Sequence, residues 1–342
     1  MEPTERKMKV LEAVVEAYIR SGDPIGSKAI CQSLDFNVSS ATVRNDMAEL
    51  SGLGLLEQPH TSSGRIPTEL GYRVYIDDLM KPRPPDKKEL AAVKNKLELH
   101  ADTPENLLET AADILSKVTG CAAAAVSPPG ENALIRHIRF VRTGSYTAMA
   151  VLITSLGSVK PKLFRCEYAI TPSLLEMFDK AINERLRDMP VTSVTPAFIQ
   201  STAISFGDLS MIMPSVLLAV SEAAKEASAD GTAIRGQENL FSMQELDPSD
   251  GRAVMELLKK PTELNKLIAA AQARSGTLIG SELSIPGLKH LSVVSASYTA
   301  APQCSGSLAL IGPLRINYPR IISILTGVAD IVGELLSELL DL

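Results

Sequence analysis

The chain has 342 residues, too many for one typical core, and 45% of them are apolar, so it should build two or three packed domains rather than a disordered tail. The formal net charge of −6 argues against a nucleic-acid-binding coat over the whole molecule, but it leaves room for one local site. Cys31, Cys121, Cys166 and Cys304 are widely spaced, the N-terminus has no signal-type apolar segment, and no apolar run is long enough for a bilayer; together these point to the reducing cytoplasm and away from a membrane.

The first 80 residues read as small helices with tight turns. Thr4 is placed to cap a helix running to Ser21, with Val10, Leu11, Val14, Val15, Tyr18 and Ile19 on one face. Gly22-Asp23-Pro24 ends it. Ser27 is placed to cap a short helix from Lys28 to Leu34, and Ser39 a third from Ser40 to Gly52. Two short strands, Leu55 to Gln58 and Arg65 to Pro67, flank a turn-rich hexapeptide. A helix from Thr68 to Leu79 follows, then a stiff linker, Lys81-Pro82-Arg83-Pro84-Pro85.

Beyond the linker the pattern predicts helices at Asp86 to Leu99 and Thr103 to Val118, then strands at Cys121 to Val126, Ala133 to Arg142, Tyr146 to Thr154 and Val159 to Cys166. A helical block covers Thr171 to Arg187, Pro196 to Ile204, Asp208 to Ala227, Ser249 to Lys259 and Thr262 to Ala273. Strands return at Thr277 to Ser281, Leu288 to Ser297 and Ser305 to Ile311, before a last helix from Tyr318 to Leu340. Strands, helices, then strands again describe an α+β domain with an insertion. The expected divisions are 1–80, a linker and connecting helix at 81–102, a first half at 103–190, an insert at 191–260 and a second half at 261–342.

The second and third helices have helix-turn-helix proportions. On the third, Val43, Met47 and Leu50 repeat at core spacing. The opposite stripe carries Ala41, Arg44, Asn45 and Ala48, with Ser39, Ser40 and Thr42 at the helix start. Small residues allow close approach to a groove. Arg and Asn can form bidentate bonds to guanine and adenine edges. Serines at a helix N-terminus suit a phosphate. The hairpin that follows reads as a wing, with His60, Thr61 and Ser62 near its tip and Arg65 at its base. The pattern alone fits a DNA-binding or a protein-binding winged helix, because residues 1–80 carry eight Lys and Arg against twelve Asp and Glu.

No phosphate-binding loop, dinucleotide fingerprint, metalloprotease helix or nucleophile elbow is present, so no catalytic residue, cofactor or metal is expected. His137 reads as a packed or rim side chain and the cysteines as core fillers. The last helix has a wide apolar stripe expected to pack on its own sheet. The helix from Asp208, with Leu209, Ile212, Val216, Leu217 and Val220, is the expected dimer contact.

The run from Ser39 to Met47, the run from Gly54 to Thr68, Gly71-Tyr72-Arg73, Ile135-Arg136-His137-Ile138 and the run from Ile311 to Tyr318 together resemble the HrcA family of heat-inducible transcription repressors over essentially the whole chain. The resemblance favours DNA binding. It implies a homodimer on an inverted-repeat operator in double-stranded DNA upstream of chaperone genes, a GAF-like domain carrying an inserted dimerising domain, and help from the chaperonin GroE. An alternative is a small-molecule-sensing winged-helix regulator that uses a GAF-like pocket.

Overall fold

A computed structural model describes residues 4–60, 64–204, 213–241, 248–302 and 304–341. Helix α1 (Glu5–Ser21) buries Val10, Leu11, Val14 and Val15, and ends where Gly22, at φ 75°, returns its N–H to the Tyr18 carbonyl. Helices α2 (Ser27–Ser33) and α3 (Ser40–Gly52) follow. Gly26, not Ser27, takes the cap position of α2; the Ser27 hydroxyl lies inside the first turn, 2.9 Å from the Ser40 hydroxyl.

Strands β1 (Leu56–Glu57) and β2 (Ile66–Pro67) pair antiparallel, and Ile25 adds a third rung by exchanging two 2.9 Å backbone bonds with Arg65. Gly64 is needed here, since a Cβ would stand 2.3 Å from the Ile25 carbonyl oxygen. Thr68 caps α4 (Glu69–Val74), and the chain widens into one π-helical turn, Tyr75–Leu79. Residues 81–85 are exposed and belong to no element.

Helix α5 (Lys87–Glu98) is more than a connector. It lies on the last helix, α13 (Tyr318–Leu339), and buries Val93 and Leu97 in the same apolar cluster. After α6 (Pro104–Thr119) comes β3 (Ala122–Val126), every residue of which is buried. Two faces of alanine explain this: helices cover the strand on both sides. Its sheet has five antiparallel strands in the order β7-β3-β10-β9-β8, with β7 at Thr232–Arg235, β8 at Thr277–Ile279, β9 at Leu291–Ala301 and β10 at Cys304–Pro313. Ala123, Ala125, Leu308 and Leu310 meet α6 and α13 on one face. Ala122, Ala124, Val293 and Ile311 meet α11 (Pro248–Leu258) and α12 (Pro261–Ala273) on the other. Cys121, Cys166 and Cys304 are buried and Cys31 half-buried; burial pushes the Cys121 thiol up to about 11.

The chain leaves this sheet after β3 and returns to it at β7. Between them β4 (Ile135–Arg142), β5 (Thr147–Thr154) and β6 (Val159–Arg165) form a separate antiparallel meander, covered on one face by α7 (Pro172–Leu186) and α9 (Met213–Ala227), with α8 (Pro196–Ile204) packed on α9. This unit has its own core, centred on Phe140 with Phe164 and Phe178 edge-on at 6.0 and 5.8 Å. Asn183 and Asp179 of α7 bond the Ile138 and Phe140 backbone and so cover the free edge of β4. Ser127 and Gly231 exchange two 2.8 Å bonds across its base.

The insertion therefore occupies roughly residues 128–230, against the expected 191–260. Residues 135–165 do not continue the main sheet, and β7, α10 (Gln237–Phe241) and α11 belong to the main domain. Strand hydrophobicity does not encode which sheet a strand joins, and the half-buried β7 has no alternation to reveal it. The helix expected to carry the dimer contact packs inward. Val216, Leu217 and Val220 are spent inside the unit's own core, and Leu209 and Ile212 lie outside the described residues.

Candidate nucleic-acid interface

Helix α3 has two unlike sides. Val43, Met47 and Leu50 are buried beneath it, as their spacing requires. Ala41, Arg44, Asn45 and Ala48 face solvent. Among the described residues neither Arg44 nor Asn45 has a hydrogen bond or ion pair, so both side chains are available to an outside partner. The two alanines keep the ridge low, which lets the helix sit deep in a groove about 12 Å wide.

The start of the helix is held by its own hydroxyls. Ser39 Oγ accepts from the Thr42 N–H at 3.1 Å and lies 2.9 Å from Thr42 Oγ1. Both remain at the positive end of the helix, beside the first-turn N–H groups that favour an anion. Ser40 is different. Its hydroxyl turns inward to Ser27 and ties α3 to α2, so its contribution to a phosphate site is the backbone N–H.

Asp46 is the residue that sequence reasoning missed. It is 1% exposed and accepts a forked pair of bonds from Arg6, 3.0 Å from Nε and 2.8 Å from Nη2. The bonds to Asp46, reinforced by its charge, hold the Arg6 guanidinium above its ordinary value. Lys7 pairs with Glu49 one turn further along. Two acidic charges on α3 are thus neutralised from α1, and the acidic balance of the segment does not fall on the Arg44 face. A helical wheel would have shown Asp46 on the inward side, with Val43, Met47 and Leu50; its partner, 40 residues earlier, is invisible to local pattern.

The wing is built as expected up to its tip. His60 is exposed, while Thr61 and Ser62 lie outside the described residues. Arg65 is half-buried at the base, its backbone locked to Ile25 and its Nε buried without a hydrogen-bond partner among the described residues. Its guanidinium is less open to DNA than a wing-tip position would be.

An exposed Arg–Asn stripe on the second helix of a helix-turn-helix, followed by a two-stranded wing and joined to an α+β domain, defines a winged-helix DNA-binding protein. Residues 2–78 match the model of the winged helix-turn-helix transcription repressor HrcA DNA-binding domain, and residues 105–322 match the HrcA protein C terminal domain. The chain is 32% identical over 338 residues to the heat-inducible transcription repressor HrcA of Laribacter hongkongensis, covering 98% of this chain and 96% of that one. It is 30% identical over 331 residues to the one from Xanthomonas oryzae pv. oryzae, covering 96% and 94%. A crystal structure of a hypothetical protein shares the fold with a TM-score of 0.65 and 24% identity, over 99% of this chain and 100% of that one. The chain belongs to the HrcA family of heat-inducible transcription repressors; it represses heat-shock genes and is not an enzyme.

Proposed function

We propose that the protein represses as a homodimer bound to an inverted-repeat operator, one α3 in each of two major grooves. The observation that carries this is the unengaged stripe of Ala41, Arg44, Asn45 and Ala48 opposite a fully packed face. In this reading Arg44 and Asn45 touch base edges, Ser39, Thr42 and the Ser40 N–H meet a phosphate, and His60, Thr61, Ser62 and Arg65 follow the flanking backbone. Two-fold symmetry in the protein calls for two-fold symmetry in the DNA.

The five-stranded sheet with helices on both faces serves as the GAF-like domain, and the three-stranded unit as the dimerising insert. Support for the latter is the sheet face that no element among the described residues covers. Val141, Met149, Val151, Ile153, Val159 and Leu163 form a contiguous apolar surface in the β4-β5-β6 register, with Val141 43%, Val159 52% and Leu163 69% exposed. A second copy of that surface is the occupant proposed here. The protein works in the cytoplasm, with chaperonin GroE maintaining its active form.

The test is a titration of a duplex carrying an inverted repeat against a scrambled duplex at fixed salt, with sedimentation of the complex. Two chains per operator duplex and selective binding are expected. Equal affinity for both duplexes would overturn the reading.

A further inference from the structure

The winged helix does not hang from its linker. Arg73 of α4 is 8% exposed, and its guanidinium makes four hydrogen bonds. Nε donates to Glu282 Oε1 at 2.9 Å, and Nη2 donates to Glu282 Oε2 and, at 3.0 Å, to the Thr277 carbonyl. Nη1 donates to Asp77 at 3.1 Å. Glu282 sits in the single-turn helix after β8; it also pairs with Arg274 at 3.1 Å and accepts from the Ile279 N–H at 3.0 Å. Both partners are therefore fixed within their own domains as well as to each other.

Three further bonds join the same two parts, two of them beside this pair and one apart from it. Glu69 accepts from the Ser281 N–H at 3.0 Å and from its hydroxyl at 2.6 Å. Arg315, in the loop before α13, donates to the Ile19 carbonyl at 3.1 Å at the end of α1 and lies flat over Gly22, where a Cβ would come within 3.3 Å of its Cζ. Apolar surfaces can slide past one another, whereas forked, directional bonds at separate points admit one orientation. A buried ion pair also adds little net stability over an apolar replacement, which makes definition of geometry the better account of this one.

We infer that Arg73 and Glu282 are positioning residues that hold each recognition helix at one angle to the dimerising body, and so set the half-site spacing the operator must have. The inference rests on the dimer reading above. Inserting one base pair moves a half-site by about 3.4 Å and turns it by about 35°, and docked wings cannot follow.

The experiment uses the full chain and an operator series with zero to five inserted base pairs, read by fluorescence anisotropy, and a duplex with a single half-site as control. The variants are Arg73→Met, which keeps the stem but removes the fork, and Glu282→Gln, which keeps the shape but removes the charge. The wild type should lose about 100-fold in affinity at five inserted base pairs, when the second half-site faces the opposite side of the duplex, and the variants less than about 10-fold. Single-half-site affinity should stay within about twofold, since no base or phosphate contact has changed. A chain that sediments as a monomer would overturn the dimer reading, and this inference with it. A dimer whose spacing profile is unchanged in both variants would overturn this inference alone, as would variants that lose single-half-site binding as steeply as operator binding.

Discussion

Arg44 and Asp46 stand two residues apart on α3 and do opposite work. Arg44 points outward and contributes little to the core. We expect Arg44→Ala to weaken operator binding by about 1–3 kcal/mol per half-site, the scale of one bidentate base contact. Random-sequence duplex should be affected far less, because phosphates dominate that binding. Unfolding free energy should move by less than about 0.5 kcal/mol. Parallel titrations on operator and scrambled duplexes decide it: equal losses would make Arg44 a phosphate contact. Asp46→Ala should show the reverse pattern, lowering stability through the loss of two charge-assisted bonds to Arg6. Its operator affinity, corrected for the folded fraction, should stay close to wild type. A urea unfolding midpoint unchanged in Asp46→Ala would show that the pair does not support the fold. The outward placement of Arg44 was legible from helical spacing alone. The pairing of Asp46 was not, because 40 residues of chain separate it from Arg6.

Secondary structure follows local chemistry, and the helix starts show this best. Ser39, Thr68, Thr103 and Thr171 each accept the N–H that a first helical turn leaves unsatisfied. Caps and apolar periods are short-range signals, so most helices were readable from sequence. Sheet membership is a long-range property. Nothing in the alternation of Ile135 to Arg165 says that these strands pair only among themselves, and nothing in Thr232 to Arg235 announces a partner of β3. That separation leaves one face of the three-stranded sheet without a cover among the described residues. Leu163 lies at its centre of exposure, paired in register with Met149. Leu163→Glu should yield a folded monomer with native far-UV dichroism and weakened operator binding, since one charge is enough to spoil an apolar interface it cannot leave. A dimer of unchanged mass by light scattering would place the contact elsewhere.

At the scale of the molecule, one apolar cluster runs from Val10 in α1 through α4 and α6 to Leu336 in α13. DNA-binding and C-terminal parts thus share a boundary without a gap, and Tyr72 and Tyr318 meet across it at 6.2 Å. Loss of order on one side is felt on the other. The DNA-binding segment also carries more acidic than basic residues, which leaves it little non-specific affinity for DNA; in the proposed dimer, two correctly held half-sites would supply the rest. We expect mild warming to release the operator below the temperature of global unfolding, with partial recovery on adding chaperonin and ATP. Operator binding that persists up to the unfolding transition, with no response to chaperonin, would count against instability as the heat signal.

The crossing of Ser127 and Gly231 has a consequence for how this protein can be taken apart. Entry and exit of the three-stranded unit lie side by side, bonded to each other, on neighbouring strands β3 and β7. A chain whose ends meet at such a point can be removed and the gap closed with a few small residues. Excising residues 129–229 should leave a soluble, monomeric body with its winged helix still docked, whereas excising 191–260 would tear β7 and α11 from the main sheet and leave the chain unfolded. Dichroism and light scattering on the two deletions would separate these outcomes. In the dimer proposed above, the molecule would be a repressor half with a detachable coupler, and a different self-associating module grafted at the Ser127–Gly231 junction would place its assembly under another control.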